Sequence, residues 1–432
     1  MDRVCIESRA GLPAKVSYVA RGLLEAGYGR DHALRLDERR DQRPRTGDLV
    51  LCRVTDLGFH KALGQAQGRR TPLFLGDEVV IAYGSRYAPD QYEAELPPDT
   101  GPCELAAAGG LAARVVSRHE RMSSPTRLCP VGLLTDDRGT RINLRDLARP
   151  VFPFPASCPP VVAVLGTSMN AGKTTACASL IRGLSVAGYR VGAAKVTGTG
   201  APGDPWRMTS AGASQVLDFT DVGHPSTYRL SGEEVVRTLR ALVADLTEHV
   251  ADVIVLEIAD GLLQRETAEL LAAPEFQELV HSALFAAGDA MGGAVGVREL
   301  RQRGLPVAAL TGRVTSSPLA VAEVAALADV PVIATDALEE PANAVTFLPA
   351  EVRPAVAEEE GVPVVEWTGD AGDWAQVAGE RAGDEQGVRG RAAPVEVLSG
   401  SPSPTSVPTS APASTSTPAP TSTPTSTPRP AA

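Results

Sequence analysis

One short stretch carries the chemistry. Gly166-Thr-Ser-Met-Asn-Ala-Gly-Lys-Thr-Thr175 follows an apolar run, Val161 to Leu165, and precedes a helical pattern. In that setting a glycine-rich loop curls so that successive N–H groups point inward and cradle phosphate oxygens. Gly172 lets the backbone approach closely, Lys173 neutralises the β/γ-phosphates, and the Thr174 hydroxyl can ligate Mg²⁺. The helix that starts here adds its partial positive charge. The expected nucleotide-binding residues are Gly166, Thr167, Ser168, Asn170, Ala171, Gly172, Lys173, Thr174 and Thr175. Thr167 occupies the place of the usual first glycine, so the loop reads GT-x-x-x-x-GKT. The chain has no Asn-Lys-x-Asp for guanine, which favours ATP as the nucleotide.

A phosphoryl-transfer site also needs a carboxylate for the metal and further positive charge near the phosphates. In a doubly wound sheet both come from strand ends. Glu257 closes the apolar run of "DVIVLEIADG" and is the expected metal ligand with Thr174, with Asp260 in reserve. Lys195 closes "RVGAAKV" and is an expected catalytic cation. The following stretch, "GDPWRMTSAGASQVLDFTDVGHPSTYRL", is rich in turn and polar residues. It reads as an acceptor-substrate loop. Asp221 is its expected catalytic base or second metal ligand. Thr197, Gly198, Asp204, Ser226 and Thr227 are its expected substrate contacts. His224 reads more readily as a surface residue than as a catalyst. In the first part of the chain, Tyr83, Arg86, Tyr87 and Asp90 share one turn that can either pack the core or touch a small polar ligand.

Taken in order, the GT-x-x-x-x-GKT loop, "KVTGTG", "DFTDVG-PSTY" and Glu257 give the chain a resemblance to a two-domain P-loop family. Its C-terminal half resembles dethiobiotin synthetase and the molybdopterin-guanine-dinucleotide accessory proteins. The resemblance covers about residues 45–340. It implies an ATP- and Mg²⁺-dependent ligase or kinase acting on a small, carboxylate-bearing metabolite, with Lys195 touching phosphate and substrate. Ser168 stands where the dimerising ATPases of this class carry an extra lysine, which disfavours a partition or motor role. Some relatives are implicated in amino-acid derivatisation, including N-acylation of glutamate. A coenzyme A-dependent acyltransferase is therefore an alternative, with Thr197, Gly198 and the Gly288–Gly293 loop lining the acyl end. A non-enzymatic nucleotide switch or accessory protein is another.

Composition limits the partners. The 432 residues carry a net charge of −11 and are 43% hydrophobic. Such acidity argues against general affinity for nucleic acid or anionic membrane. The six cysteines form no CxxC pair, as in a reduced cytosolic protein. No secretory signal and no apolar run long enough for a membrane span is evident. The expectation is a cytoplasmic protein with a small-molecule substrate, with homo-oligomerisation left open. Arginines cluster at Arg30, Arg35, Arg39, Arg40, Arg43 and Arg45, which reads as a solvated loop.

The elements that must position these residues follow from the pattern. The fold class is α/β: a P-loop doubly wound parallel sheet, preceded by a smaller mixed or mostly β domain and followed by a disordered tail. The expected divisions are 1–150 for the β-rich domain and 151–160 for a Pro-rich linker. The nucleotide-binding domain spans 161–345, a poorly defined extension 346–398, and a Pro/Ser/Thr-rich tail 399–432. That tail has too few apolar residues to offset its ordering entropy. "AKVSYVARGLLEAGYG" fits one amphipathic helix ending at glycine. From Val161 short apolar strands alternate with helices, ending in a strand at "VPVIAT", and this alternation implies a parallel sheet covered on both faces. Ser231 and Glu234 form a capping-box pair before a long amphipathic helix.

Overall fold

The computed structural model describes residues 3–4, 14–29, 32–39, 41–249 and 251–353. Cys5, Arg30, Arg40, the 346–398 extension past Arg353 and the tail lie outside the described residues. The described part of the chain falls within one compact unit.

Residues 161–311 build a six-stranded parallel sheet. Its strands are β1 (Val161–Gly166), β2 (Val191–Lys195), β3 (Gln215–Asp218), β4 (Val253–Glu257), β5 (Ser282–Ala286) and β6 (Val307–Thr311). Their spatial order is β3-β2-β4-β1-β5-β6. β1 therefore has a later strand on each side, with β4 to the left and β5 to the right. That is the switch point where an open parallel sheet leaves a crevice beyond its strand ends. The strands are apolar throughout because both faces are covered. Val162 and Val164 pack with Ala176, Cys177, Leu180, Ile181 and Leu184 of helix α1 (Lys173–Val186). Val161, Ala163 and Leu165 point the other way, into a cluster with Leu239, Leu242 and Leu246.

Local rules account for the helices. Ser231 caps the helix Gly232–Glu248, and Glu234 returns the bond to the Ser231 N–H, a reciprocal capping box. Its buried residues Val235, Leu239, Leu242, Val243 and Leu246 recur every three or four positions. The run "ETAELLAAPEFQELV" becomes two helices, Arg265–Ala272 and Pro274–Leu279. Pro274 lacks the N–H to continue the first and starts the second.

Three readings differ from the structure. The polar stretch after Lys195 is not one loop: it holds helix Gly203–Ala211 and strand β3. Its strand signal is only "QVLD", too short to separate from a turn without its partner β2. "VPVIAT" forms one bridge, Val332 to Leu310, rather than a strand. The segment Ala14–Gly29 is a strand, Ala14–Val16, followed by a short helix, Arg21–Glu25. Lys15 and Val16 pair with Val79 and Val80, and this tertiary pairing outweighs the helical periodicity.

Among the described residues, the β-rich region before the linker holds a nine-stranded sheet and a two-stranded one, Ala62–Gly64 with Arg70–Pro72. Five of its strands close into a ring. Glu78–Tyr83 pairs with Leu49–Asp56, which pairs with Thr126–Thr135. That strand pairs with Cys103–Ala107, which pairs with Leu111–Arg118, and Leu111–Arg118 returns to the first strand. Closure removes open edges. Val50, Cys52, Val54, Ile81, Tyr83, Leu105 and Leu128 fill one core cluster of this barrel. Residues 151–160 carry neither helix nor strand.

The barrel packs over the edge of the parallel sheet where its strands end. Val19 and Gly109 approach Gly200, and Gly84 approaches Pro225. Arg229 reaches Glu95 at 2.6 Å, and the Tyr228 hydroxyl donates to Glu93 at 3.1 Å. All four receiving positions lie in connections that leave β2 or β3.

Candidate functional site

The loop between β1 and α1 is built to approach a ligand with its backbone. Gly172, at φ 107°, is the helix N-cap and offers no capping side chain to the first helical N–H groups. A Cβ there would sit 3.0 Å from the Gly312 Cα, in a conformation L side chains rarely adopt. Asn170 holds a second left-handed turn at φ 62°. The Lys173 ammonium is folded back into the loop, donating to the carbonyls of Ser168 and Asp260, both at 2.7 Å. Both acceptors are main-chain oxygens, so the amine has no carboxylate ion pair there. Burial lowers its pKa, opposed by the charges of Glu257 and Asp260.

Sheet register assembles the charged partners. Lys195 is paired with Glu257 on one side and Asp218 on the other. In-register residues of parallel strands point to the same face. The Thr174 hydroxyl donates to Glu257 Oε1 at 2.6 Å. Glu257 is 1% exposed, and its Oε2 is buried with no hydrogen-bond partner. Burial raises the Glu257 pKa, with Lys195 pulling it down. Asp204, in the first turn of Gly203–Ala211, forms an ion pair with Lys195. Burial works against the Lys195 charge, but Asp204 and Glu257 outweigh it and hold the ammonium well above its ordinary range. Burial would likewise raise Asp204, yet the Lys195 charge leaves it lowered.

Thr174, Glu257, Asp204, Lys195 and Lys173 are thus brought to one place. A hydroxyl and a carboxylate in contact, with a second carboxyl oxygen buried and unpaired, are the donor set a hard divalent cation takes. The residues fit Mg²⁺: Thr174 and Glu257 would hold it, with Asp204 beside them.

The other expected contacts fall out differently. Thr197 clasps the exit of β4: its hydroxyl accepts from the Ala259 N–H at 2.8 Å and donates to the Ala259 carbonyl at 3.2 Å. The Thr227 hydroxyl accepts from the Gly198 N–H at 2.8 Å. The Ser226 hydroxyl accepts from the Tyr228 N–H at 3.2 Å. Ser226 and Thr227 are each 2% exposed, and in this structure these hydroxyls and Gly198 tie the loops together. Asp221 is not brought to the phosphate loop. It accepts from Arg21 at 2.6 Å and caps the Asp218 N–H at 2.7 Å. A turn-rich stretch hides this role, because the partner lies 200 residues earlier. His224 is buried rather than on the surface, and burial lowers its pKa to about 4.

The structure sets three groups against the loop that the sequence did not place there. The Arg313 N–H donates to the Ala171 carbonyl at 3.0 Å, which brings the exit of β6 against it. Gly261 packs so tightly on the Thr167 carbonyl that no Cβ fits there. Asp90, on the barrel turn, accepts from Asn170 Nδ2 at 2.5 Å. Of these, Asp90, on a turn already singled out in the sequence, and Gly261, next to Asp260, carried a local signal, and Arg313 carried none.

The parallel sheet, the switch-point loop and the Lys-Thr pair at a helix N-terminus define a P-loop nucleotide-binding fold. No protein-family model and no curated protein matches the chain. Solved structures with partial likeness include the 54 kDa signal recognition particle protein of Aeropyrum pernix in complex with GDP. It is 20% identical, with a TM-score of 0.29, over 43% of this chain and 44% of that one. The cell division protein FtsY of Thermotoga maritima is 17% identical, with a TM-score of 0.27, over 39% and 57%. The signal recognition particle receptor FtsY of Elizabethkingia anophelis in complex with GDP is 17% identical, with a TM-score of 0.24, over 36% and 49%. The chain spans about half the length of these proteins. Among the described residues no helix is long and apolar enough to cross a membrane.

Proposed function

We propose that the chain is an ATP- and Mg²⁺-dependent enzyme, of ligase or kinase type, acting on a small carboxylate-bearing metabolite. The observation that carries this reading is the Thr174–Glu257 contact at 2.6 Å with Glu257 Oε2 buried and unpaired. Leaving a buried carboxylate oxygen unmatched costs free energy that a bound cation recovers. The ligase or kinase class follows from the resemblance of the GT-x-x-x-x-GKT loop, Lys195 and Glu257 to dethiobiotin synthetase.

Each group has a stated task in this reading. Lys173 exchanges its two carbonyl partners for phosphate oxygens. The uncapped N–H groups after Gly172 donate to the same phosphates. Thr174 and Glu257 hold Mg²⁺, which when bound offsets charge on the phosphate oxygens. Lys195, fixed as a cation by Asp204 and Glu257, stabilises charge that develops on the transferred group.

The test is a thermal-shift series on the full chain with ATP, GTP and acetyl-coenzyme A, each with and without Mg²⁺. A ligand at 100 times its Kd raises stability by about 2.7 kcal/mol. ATP with Mg²⁺ is expected to give the largest shift, and Lys173→Ala to abolish it while leaving the ligand-free melting temperature in place. A shift with acetyl-coenzyme A alone would replace this reading with an acyltransferase.

A further inference from the structure

The barrel holds a buried cation near the site, and no carboxylate bonds to it directly among the described residues. Arg86 is 6% exposed. Its guanidinium donates to the Ala106 carbonyl and, at 2.8 Å, to Gln91 Oε1. His60 Nε2 lies 3.4 Å from Nη1, and burial holds that imidazole neutral, with a pKa of about 4. The Arg86 Nε is buried with no hydrogen-bond partner. No carboxylate forms an ion pair with Arg86 among the described residues. Every direct partner is neutral. Burial lowers the Arg86 pKa to about 10, so the group remains a cation at neutral pH. A buried charge with no direct ion-pair partner and an orphaned donor is expensive to maintain.

Its position relates it to the phosphate loop. Arg86 sits four residues before Asp90, whose carboxylate takes the Asn170 amide of that loop. Asp260 lies within electrostatic reach of Arg86, Lys173 and Lys195 together. Its backbone is left-handed at φ 62°. Its main-chain oxygen holds Lys173, while its carboxylate accepts no hydrogen bond from a described residue. Tyr87, next in the turn, stacks at a tilt on Tyr228 with ring centroids 5.7 Å apart. The barrel turn and the exits of β3 and β4 therefore meet beside the loop.

We propose that Arg86 is the anchor for an anionic group of the second substrate, a carboxylate, held across Asp260 from the nucleotide. The planar fork of arginine suits a carboxylate or a phosphate. The nearby Asp260 carboxylate selects between them, because a phosphate dianion meets more repulsion there than a monoanion does. The barrel then supplies the acceptor half of the site and the parallel sheet the nucleotide half. This inference rests on the reading of the Lys173 loop as the nucleotide site.

The experiment uses the full chain saturated with a non-hydrolysable ATP analogue and Mg²⁺, so that the loop is filled. Succinate and inorganic phosphate are titrated separately, and melting temperature is followed in wild type, Arg86→Gln and Arg86→Lys. Succinate is expected to give a saturating rise in wild type. Its half-saturating concentration should increase by about tenfold or more in both variants, the loss of a charge-assisted fork. The analogue's own shift should stay the same in all three. Arg86→Lys keeps the buried charge, so it carries the test if Arg86→Gln does not fold. An equal succinate response in wild type and Arg86→Lys, or no saturating response in wild type, overturns the proposal. Saturation by phosphate but not succinate overturns the carboxylate assignment. If the analogue fails to bind, the nucleotide reading falls, and the same titration of the ligand-free chain then decides Arg86 by itself.

Discussion

Two acidic clusters sit at the ends of β4 and β3, on either side of β2, and differ in one respect. At the end of β4, Glu257 bonds Thr174 with one oxygen and leaves the other buried and unpaired. At the end of β3, Asp218 and Asp221 are fully engaged. The Tyr18 hydroxyl donates to Asp218 at 2.9 Å, Arg21 reaches Asp221 at 2.6 Å, and the Arg21 guanidinium lies 4.3 Å from the Tyr18 ring centroid. The first cluster has spare bonding capacity and the second has none. Buried carboxylates alone therefore do not mark a ligand site. What separates them is whether the surrounding fold already satisfies each oxygen.

The sharpest way to break this contrast is to remove the cation from the satisfied cluster. Arg21→Met leaves two buried carboxylates without their partner and should cost about 3–5 kcal/mol of stability. Chemical denaturation would measure it, and a loss below about 1 kcal/mol would show that the barrel does not depend on this joint. Nucleotide affinity of the folded fraction should not change, because Arg21 touches neither Lys173 nor Glu257.

The opposite pattern is expected at β4. Glu257→Gln keeps the shape and removes the charge. Turnover should fall by about 10²-fold or more, equivalent to about 2.7 kcal/mol. Metal-free stability should stay level or rise, since burial already disfavours the ionised carboxylate. A variant with full Mg²⁺-dependent turnover would end the metal assignment and direct attention to Asp204 or Asp260.

A smaller effect comes from pH. Burial, opposed by Arg21, raises Asp221 to about 6, against roughly 3.9 in an unfolded chain. Between those values the folded state binds the proton more tightly, so stability from this group grows as pH falls through 6 and is lost as pH rises through it. His60 and His224, both lowered to about 4 by burial, act in the opposite sense: unfolded imidazoles take protons below about 6.5 and stability declines. The difference between wild type and Asp221→Asn isolates the carboxylate. The melting-temperature gap should widen in favour of wild type between pH 7 and pH 5, and a constant gap would place Asp221 at an ordinary pKa.

The two regions also differ in how legible they were. In the parallel sheet the signals are local. Apolar runs mark strands buried on both faces, Gly172-Lys173-Thr174 opens a helix, and Ser231 with Glu234 starts another. Helix Gly203–Ala211 and strand β3 escaped notice because turn-rich composition masked them. The first 150 residues read as a small mixed or mostly β domain, β-barrel-like or α+β, with no strand pairing assigned. Its closure depends on a parallel pairing between Glu78–Tyr83 and Leu111–Arg118, and no short window of sequence encodes that register.

The sequence by itself determined the phosphate loop, the strand-end positions of Lys195 and Glu257, and the alternation that makes a parallel sheet. Each follows from spacing within a few residues. Only the tertiary structure decided which polar groups were free. Thr197, Ser226 and Thr227 bond to main-chain groups, Asp221 bonds to Arg21, and the Arg86 Nε and Glu257 Oε2 are left unmatched. The reason is physical: whether a buried oxygen or guanidinium finds a partner depends on chain segments tens to hundreds of residues away, and composition does not specify where those segments meet.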